Sequence, residues 1–328
     1  MNQLIQTVLN HKAFETEPPV CVDLGASGGL PKAWDTIAPY SIAVAFDADT
    51  RNFNPAETTK HQWRRLIKVN RLVTDKCDDT VKFYLTKSPG CSSSLPPDCE
   101  SLEPWLFSDL FEVVESASLP AVQLTHTLKE AGIDYIDWLK LDTQGTDLRI
   151  FTSLSERIRK QALIVEFEPG IINAYKGEDK LHHVLEYMES LPFFLSDMKV
   201  LGSKKLSKAG YQTLKAVDGD RDPTLRLSPC WVEMCYLNSL TEREMSTRSL
   251  LLTWVFATMQ GQHGHALLAA QLGWQASSDP QFQECERASL RELRRPDYSK
   301  LGVKSVAAFL QRRISRLLKR QTPVGSSL

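Results

Sequence analysis

Three groups of residues in this chain have the types and spacing to do chemistry. The first is Asp23-Leu-Gly25-Ala26-Ser27-Gly28-Gly29, an acid and a glycine-rich turn directly after the apolar run Val20-Cys21-Val22. The second is Asp47, which closes a second apolar run, Ile42 to Phe46. The third is a set of carboxylates, Asp142, Glu166 and Glu168, at or beside the ends of later apolar runs. Glycine lets the backbone turn sharply and a ligand lie against it with no Cβ in the way. An acid after the second strand of a βαβ unit suits a bidentate hydrogen bond to ribose hydroxyls. A nucleotide-type ligand follows from the pair of signals, and a glycine turn that binds nothing is the blander reading, disfavoured by Asp47.

The glycine spacing separates two such ligands. A pyrophosphate-bearing dinucleotide wants G-x-G-x-x-G at a helix N-terminus, and the loop lacks that triplet. Asp23 would repel a pyrophosphate, but it can help hold an ammonium group, directly or through water. S-adenosylmethionine carries an ammonium and a sulfonium, so Asp23, Gly25, Ala26, Ser27, Gly28 and Asp47 form the expected cofactor set. The hydroxyl-rich loop Ser88 to Pro97 offers Ser92, Ser93 and Ser94 as further donors toward cofactor or substrate, against the plain reading as a surface loop.

Group transfer from the sulfonium of such a cofactor is an in-line displacement dominated by positioning, and an acceptor that carries a proton needs a base or a metal to weaken its bond to hydrogen. Asp142 and Glu166 are the expected catalytic carboxylates. Two acids at the ends of adjacent strands can alternatively hold Mg²⁺. Glu168 is a further base candidate or a cap before Pro169-Gly170. His126, His182 and His183 are more distant, and a solvated helix face is the more common role for the histidine pair.

These residues must be held by elements that the apolar pattern predicts. Val20 to Leu24, Ile42 to Phe46, Ile136 to Leu141 and Ala162 to Phe167 read as buried parallel strands, with a helix expected from about Pro31. Leu66 to Thr74 reads as a third strand, joined to Asp79–Thr86 as a hairpin built into the sheet. Ala121 to Leu128 reads as a strand leading into a helix capped by Thr125. A helix over about 180–191 and late strands at Phe193–Leu195 and Trp231–Leu237 complete the pattern. The fold class is therefore α/β, a doubly wound, mostly parallel sheet with an antiparallel edge and a C-terminal helical appendage. Its expected divisions are a helical cap over 1–17, a cofactor-binding domain over 18–240 and a helical extension over 241–328. Residues 100–113, with Leu102, Trp105, Phe107 and Phe111, suit a lid or docking surface.

Composition narrows the function classes. A net charge of −1 disfavours a general nucleic-acid binder. Seven cysteines without a C-x-x-C pair indicate neither a disulfide framework nor a zinc site, and the first 14 residues lack a signal-peptide pattern, so a cytoplasmic protein is expected. No apolar run is long enough to span a membrane. Within the extension, Leu250 to Leu272 and Val303 to Leu318 show helical spacing. The last carries Arg312, Arg313, Arg316, Lys319 and Arg320 and can lie on an anionic membrane surface, although a solvated basic face is commoner. Gly261-Gln-His-Gly-His-Ala266 can break the preceding helix, and its two histidines invite a metal test.

Five segments in order resemble the FkbM family of S-adenosylmethionine-dependent methyltransferases: Asp23-Leu-Gly-Ala-Ser-x-Gly, Ala45-Phe-Asp, the Ser92-Ser-Ser-Leu loop, Ile136 through Asp142-Thr-Gln-Gly145, and Val165-Glu-Phe-Glu. The likeness spans about residues 18–200. It implies a cofactor loop, a ribose acid at Asp47 where the family commonly has Glu, a serine loop with Ser93 and Ser94, and an Asp142 segment that touches the cofactor. The implied activity is methylation of hydroxyl groups on sugars or other small molecules. A catalytically silent scaffold that binds a partner through the C-terminal helices is the alternative; an NAD-dependent oxidoreductase is disfavoured by the loop.

Overall fold

The computed structural model describes residues 1–54, 62–219, 225–241 and 246–295. Its strands are β1 (Val20–Leu24), β2 (Ile42–Phe46), β3 (Arg65–Val69), β4 (Leu72–Val73), β5 (Thr80–Thr86), β6 (Val113–Val122), β7 (Trp138–Leu141), β8 (Ile164–Phe167), β9 (Phe193–Ser203) and β10 (Ser228–Asn238). The helices are α1 (Asn2–Leu9), α2 (Cys99–Leu102), α3 (Leu124–Glu130), α4 (Asp147–Ser153), α5 (Glu156–Gln161), α6 (Leu181–Met188), α7 (Lys208–Asp218), α8 (Thr247–Met259), α9 (His263–Ser277) and α10 (Pro280–Leu293).

Seven strands form one sheet in the order β3-β2-β1-β7-β8-β10-β9. The first five run parallel, and β10 is antiparallel to both of its neighbours. This is the expected doubly wound sheet with its antiparallel edge. The order reverses at β1, between β2 and β7, so the crevice beyond the carboxyl ends of those strands is where such sheets bind ligands.

Strand alternation divides the core into two layers. Val20, Val22 and Leu24 face one side with Leu139, Leu141, Val165 and Phe167, against α3, α4 and α6. Cys21, Trp138, Ile164 and Leu237 face the other. That second face differs from the expectation. No α-helix begins near Pro31; the chain after the glycine turn makes only short 3-10 turns, Lys32–Trp34 and Ala38–Tyr40. The covering layer instead comes from the two ends of the chain, α1 and α8 to α10. Trp138 packs edge-on against Trp34 at 5.7 Å and against Phe256 of α8 at 5.0 Å. Helix α8 is buried on all sides, as a helix that is apolar all round must be. The expected C-terminal helices are present, and buried residues of α8 to α10 share this apolar cluster with the sheet.

One buried ion pair locks that layer to the sheet. Arg248 of α8 donates to both oxygens of Asp137, at 2.6 and 2.9 Å, and to the carbonyls of Glu17 and Pro18 at 2.7 and 3.2 Å. Asp137 in turn accepts the Val20 N–H at 2.9 Å, so the start of β1 is fixed by a residue far downstream. Gly261 adopts φ +69° between α8 and α9, where a helix break was expected.

Two other expectations need correction. The third strand stops at Val69, and β4, β5 and β6 form a separate three-stranded sheet in which β6 pairs antiparallel with β5 and parallel with β4. The partner of β5 is therefore the distant 113–122 segment, a pairing that local alternation does not reveal. Helix α3 starts one residue before Thr125, so Gln123 takes the cap position and its side chain makes no capping bond. The basic helical stretch expected over 303–318 lies outside the described residues.

Candidate active site

The crevice at the strand-order reversal contains a cavity of about 280 Å³. Gly25, Ser27 and Gly28 from the turn after β1, Asp47 and Asp49 after β2, and Asp142 after β7 line it. Leu72, Val73 and Phe83 of the small sheet form its roof, and Ser92 and Gln144 close one side. Six of the expected residues are brought together here: Gly25, Ser27, Gly28, Asp47, Asp142 and, from the serine loop, Ser92.

Gly25 has a reason of its own to be glycine. It sits at φ +90°, and a Cβ would collide with the Asp142 carbonyl oxygen, because the turn after β1 lies directly on the end of β7. Gly28, at φ +78°, has no atom within 4 Å of a built Cβ and so needs glycine for its backbone alone.

The remaining expected residues lie elsewhere. Asp23 is 1% exposed and does not line the cavity; its Oδ1 takes a bond of 3.3 Å from Lys140 Nζ, which also reaches Asp142 Oδ2 at 3.4 Å. Ala26 is buried behind the turn against Phe53. Ser93 is fully buried, donating to the Gln144 carbonyl at 2.7 Å and accepting the Leu95 N–H at 3.0 Å. Ser94 is absent from the lining of both hollows. Glu166 pairs in register with Lys140 on β7 and accepts from Trp138 Nε1 at 3.0 Å, on the face covered by the chain ends. Period two explains it: Phe167 ends the strand facing the other layer, and Glu168 is the acid that clears the strand end. His126, His182 and His183 are exposed on helix surfaces.

Carboxyls dominate the electrostatics. Burial pushes Asp47 up to about 6, helped by the nearby charges of Asp49, Asp142 and Asp23 and opposed by the Asp49 N–H it accepts at 2.7 Å. Asp23 is also raised to about 6 by burial, despite Lys140. Asp49 is held below its usual range even though it is buried, because Arg51 forks onto it at 2.5–3.0 Å. Arg51 also donates to Ser92 Oγ at 2.9 Å and to the Thr86 carbonyl at 2.7 Å, tying the serine loop to the turn after β2. Among the described residues, the lining then presents Asp47 and Asp142 against one exposed cation, Arg71. Such a cavity suits a cationic ligand with hydroxyls and disfavours a pyrophosphate.

A second hollow of about 220 Å³ adjoins the first, sharing Gly90 and Gln144 with it. Its walls are aromatic: Phe107 stacks on Trp231 at 6.1 Å and 11°, and Phe111 meets Tyr175 edge-on at 5.6 Å. The apolar stretch 100–113 therefore packs as a wall of this chamber. Glu168 and Glu178 are its carboxyls. Gln144 stands between the hollows at φ +57°, its Nε2 donating to Asp142 Oδ1 at 2.7 Å. The Tyr175 hydroxyl lies 3.0 Å from Gln144 Oε1 and 2.8 Å from the Cys91 carbonyl, between which its one proton is shared. The partition residues Gln144 and Tyr175, the Asp49–Arg51 clamp and the Phe107–Trp231 pair were missed as site residues; only the Gln-Gly step after Asp142 signalled an unusual turn.

The comparison with known families decides the class. The family described as "Methyltransferase FkbM domain" matches residues 27–195, about half of the chain. The chain belongs to the FkbM methyltransferase family. No curated protein and no solved structure matches. As a member, it is a methyltransferase, with the match running from Ser27 in the glycine turn to Leu195 in β9. Among the described residues, no three His, Cys, Asp or Glu side chains converge as a metal site requires, His263 and His265 included. Nor is any helix among them long and apolar enough to cross a membrane.

Proposed function

We propose that this methyltransferase uses S-adenosylmethionine and transfers its methyl group to a hydroxyl of a small molecule or glycan bound in the second chamber. The observation that carries the reading is the paired hollow: an acid-lined cavity at the strand-order reversal opens past Gln144 onto an aromatic chamber. The donor chemistry fits the cofactor. Asp47 is a carboxylate that burial makes costly to ionise and that has one oxygen free of the Asp49 N–H, so it would take ribose hydroxyls. Asp142 adds negative charge, and the backbone of Gly25 to Gly28 leaves room for the ligand. Bound there, the cofactor would supply an electrophilic methyl on a positively charged sulfur.

The chain's own residues orient and exclude. Lys140 and Gln144 fix the Asp142 carboxyl from two sides, and the small sheet roofs the cavity with Leu72, Val73 and Phe83. Phe107 and Trp231 give the acceptor a flat apolar wall and keep water from it. The silent-scaffold alternative relied on the C-terminal helices for docking, but α8 is committed to the core.

Calorimetric titration with S-adenosylmethionine, S-adenosylhomocysteine and NAD tests the cofactor, and transfer of labelled methyl into a small-molecule extract of the producing cells tests the reaction. Binding of both adenosyl compounds but not NAD is the expected result. Preference for NAD, or binding without any transfer, would refute the reading.

A further inference from the structure

Glu168 is the carboxyl that the rest of the site leaves unpaired. It lines the second chamber, and among the described residues its side chain enters no hydrogen bond or ion pair. Its neighbours are all engaged. Asp142 accepts from Lys140 and Gln144, Asp147 from Thr143, and Glu178 from Lys180 and the N–H groups of Ala174 and Tyr175. Its backbone is fixed: the Glu168 N–H donates to Asp147 Oδ2 at 3.0 Å, and Val232 N–H binds the next carbonyl, of Pro169, at 3.2 Å. An unpaired acid on a rigid strand end, facing an aromatic chamber, is placed for proton transfer rather than for structure.

Resting on the methyltransferase reading above, we propose that Glu168 is the acceptor-side base and that a cationic methyl donor beside Asp142 switches it on. The groups facing it come from every surrounding element. They are Lys140 and Asp142 at β7, Asp147 on α4, Glu233 and Cys230 on β10, Cys91 on the serine loop, and Tyr175 and Glu178 on the loop after β8. Burial, then Asp142, push Glu168 up to about 9, with Lys140 opposing, so the free protein holds it protonated at neutral pH. A positive charge in the cavity that Asp142 lines offsets the repulsion from Asp142 and releases that proton. Glu168 then takes the proton of the acceptor hydroxyl. The O–H electron pair becomes the new O–C bond, the pair of the broken C–S bond stays on sulfur, and the proton passes from Glu168 to water. A base that is armed only in the loaded enzyme avoids holding an idle buried charge.

The test is proton release on binding, measured by calorimetry at pH 8 in two buffers of different ionisation heat. At that pH Asp23 and Asp47, at about 6, and Glu166, at about 7, are already ionised, whereas Cys91, at about 11, and Tyr175, raised well above 10, stay protonated. The wild type should release about one proton with S-adenosylmethionine and markedly less with S-adenosylhomocysteine, which lacks the sulfonium charge. Glu168→Gln should bind S-adenosylmethionine without that release, and in the labelled-methyl assay lose on the order of 100-fold or more in transfer. Equal proton release in wild type and Glu168→Gln, or undiminished transfer by the variant, would overturn the proposal and leave the cofactor reading standing. Failure of the wild type to bind S-adenosylmethionine at all would refute the cofactor reading itself.

Discussion

Replacing Asp47 by Ala should weaken the binding of S-adenosylmethionine while leaving the free protein as stable as before or more so. Two terms decide this. The carboxyl is raised from 3.8 to about 6, chiefly by burial, which at about 1.4 kcal/mol per unit is a cost on the order of 3 kcal/mol for holding it ionised above pH 6. Removal also deletes the 2.7 Å bond from Asp49 N–H, a loss of about 1 kcal/mol. The net effect on the free protein at pH 8 is zero to roughly 2 kcal/mol of stabilisation. The sign has a pH signature. A carboxyl raised in the folded state costs nothing below its unfolded value, and its cost grows as pH rises through about 6, so the difference between variant and wild type should fade by pH 4. In the complex, each charge-assisted bond to ribose contributes about 1.5–3 kcal/mol, so the loss of even one weakens binding by roughly 10- to 150-fold. Calorimetric titration and urea unfolding at pH 8 and pH 5 measure both. Unchanged affinity would mean that ribose is held elsewhere, and a free variant destabilised at pH 8 would mean that Asp47 is structural.

Gly25→Ala should destabilise the fold by at least about 2 kcal/mol, since it combines a positive φ with a collision against the Asp142 carbonyl, whereas Gly28→Ala should cost only about 1 kcal/mol of backbone strain; equal melting points for the two would contradict the geometry. Arg248→Met should cost about 3–5 kcal/mol in urea unfolding by leaving Asp137 buried and unpaired, and a loss under about 1 kcal/mol would show that α8 is not locked to the sheet as described. The melting temperature of the free protein should fall as pH rises from 6 to 9. Asp23 and Asp47 at about 6, Glu166 at about 7 and Glu168 at about 9 all bind protons more tightly folded than unfolded. His265, lowered by burial, works the other way below about 6.5, so a melting temperature that rises steadily across that range would refute the raised carboxyls.

The central strands were legible because each is a short apolar run closed by a glycine or an acid, and their partners in a parallel sheet follow from βα alternation. That Gly25, Asp47 and Asp142 line one cavity was legible for the same reason, since they follow β1, β2 and β7, which are adjacent. Glu166 shares the face of Ile164 inside β8 and is bonded to Trp138, whereas Glu168 lies one residue beyond the strand end and reaches the chamber, a difference that depends on where the strand stops. Long-range pairing was not legible. Nothing in Thr80–Thr86 names Val113–Val122 as its partner, and nothing local in Lys32–Trp34 announces that α8, more than 200 residues later, will cover the sheet in place of a helix there. The run Leu250 to Phe256, apolar but for Thr253, was the available sign, since a helix without a polar face cannot stand on a surface.

The relation between the two hollows rests on the conformation of Gln144. At φ +57° a residue with a side chain costs about 1 kcal/mol over the right-handed region, so the surrounding structure must impose it. It does so from three sides: Ser93 Oγ holds the carbonyl, Asp142 accepts from the carboxamide nitrogen, and Tyr175 meets the carboxamide oxygen. Gly145 follows at φ +99°, where a Cβ would approach Glu178 Cβ to 2.8 Å, so the turn admits only glycine at that position. The buried serine of the hydroxyl-rich loop therefore acts on the site through the backbone, by setting the partition between cavity and chamber. That placement leaves Asp142 facing the first hollow with its carboxyl already bonded and leaves Glu168 facing the second with its carboxyl free, a division of roles between two acids at the ends of adjacent strands.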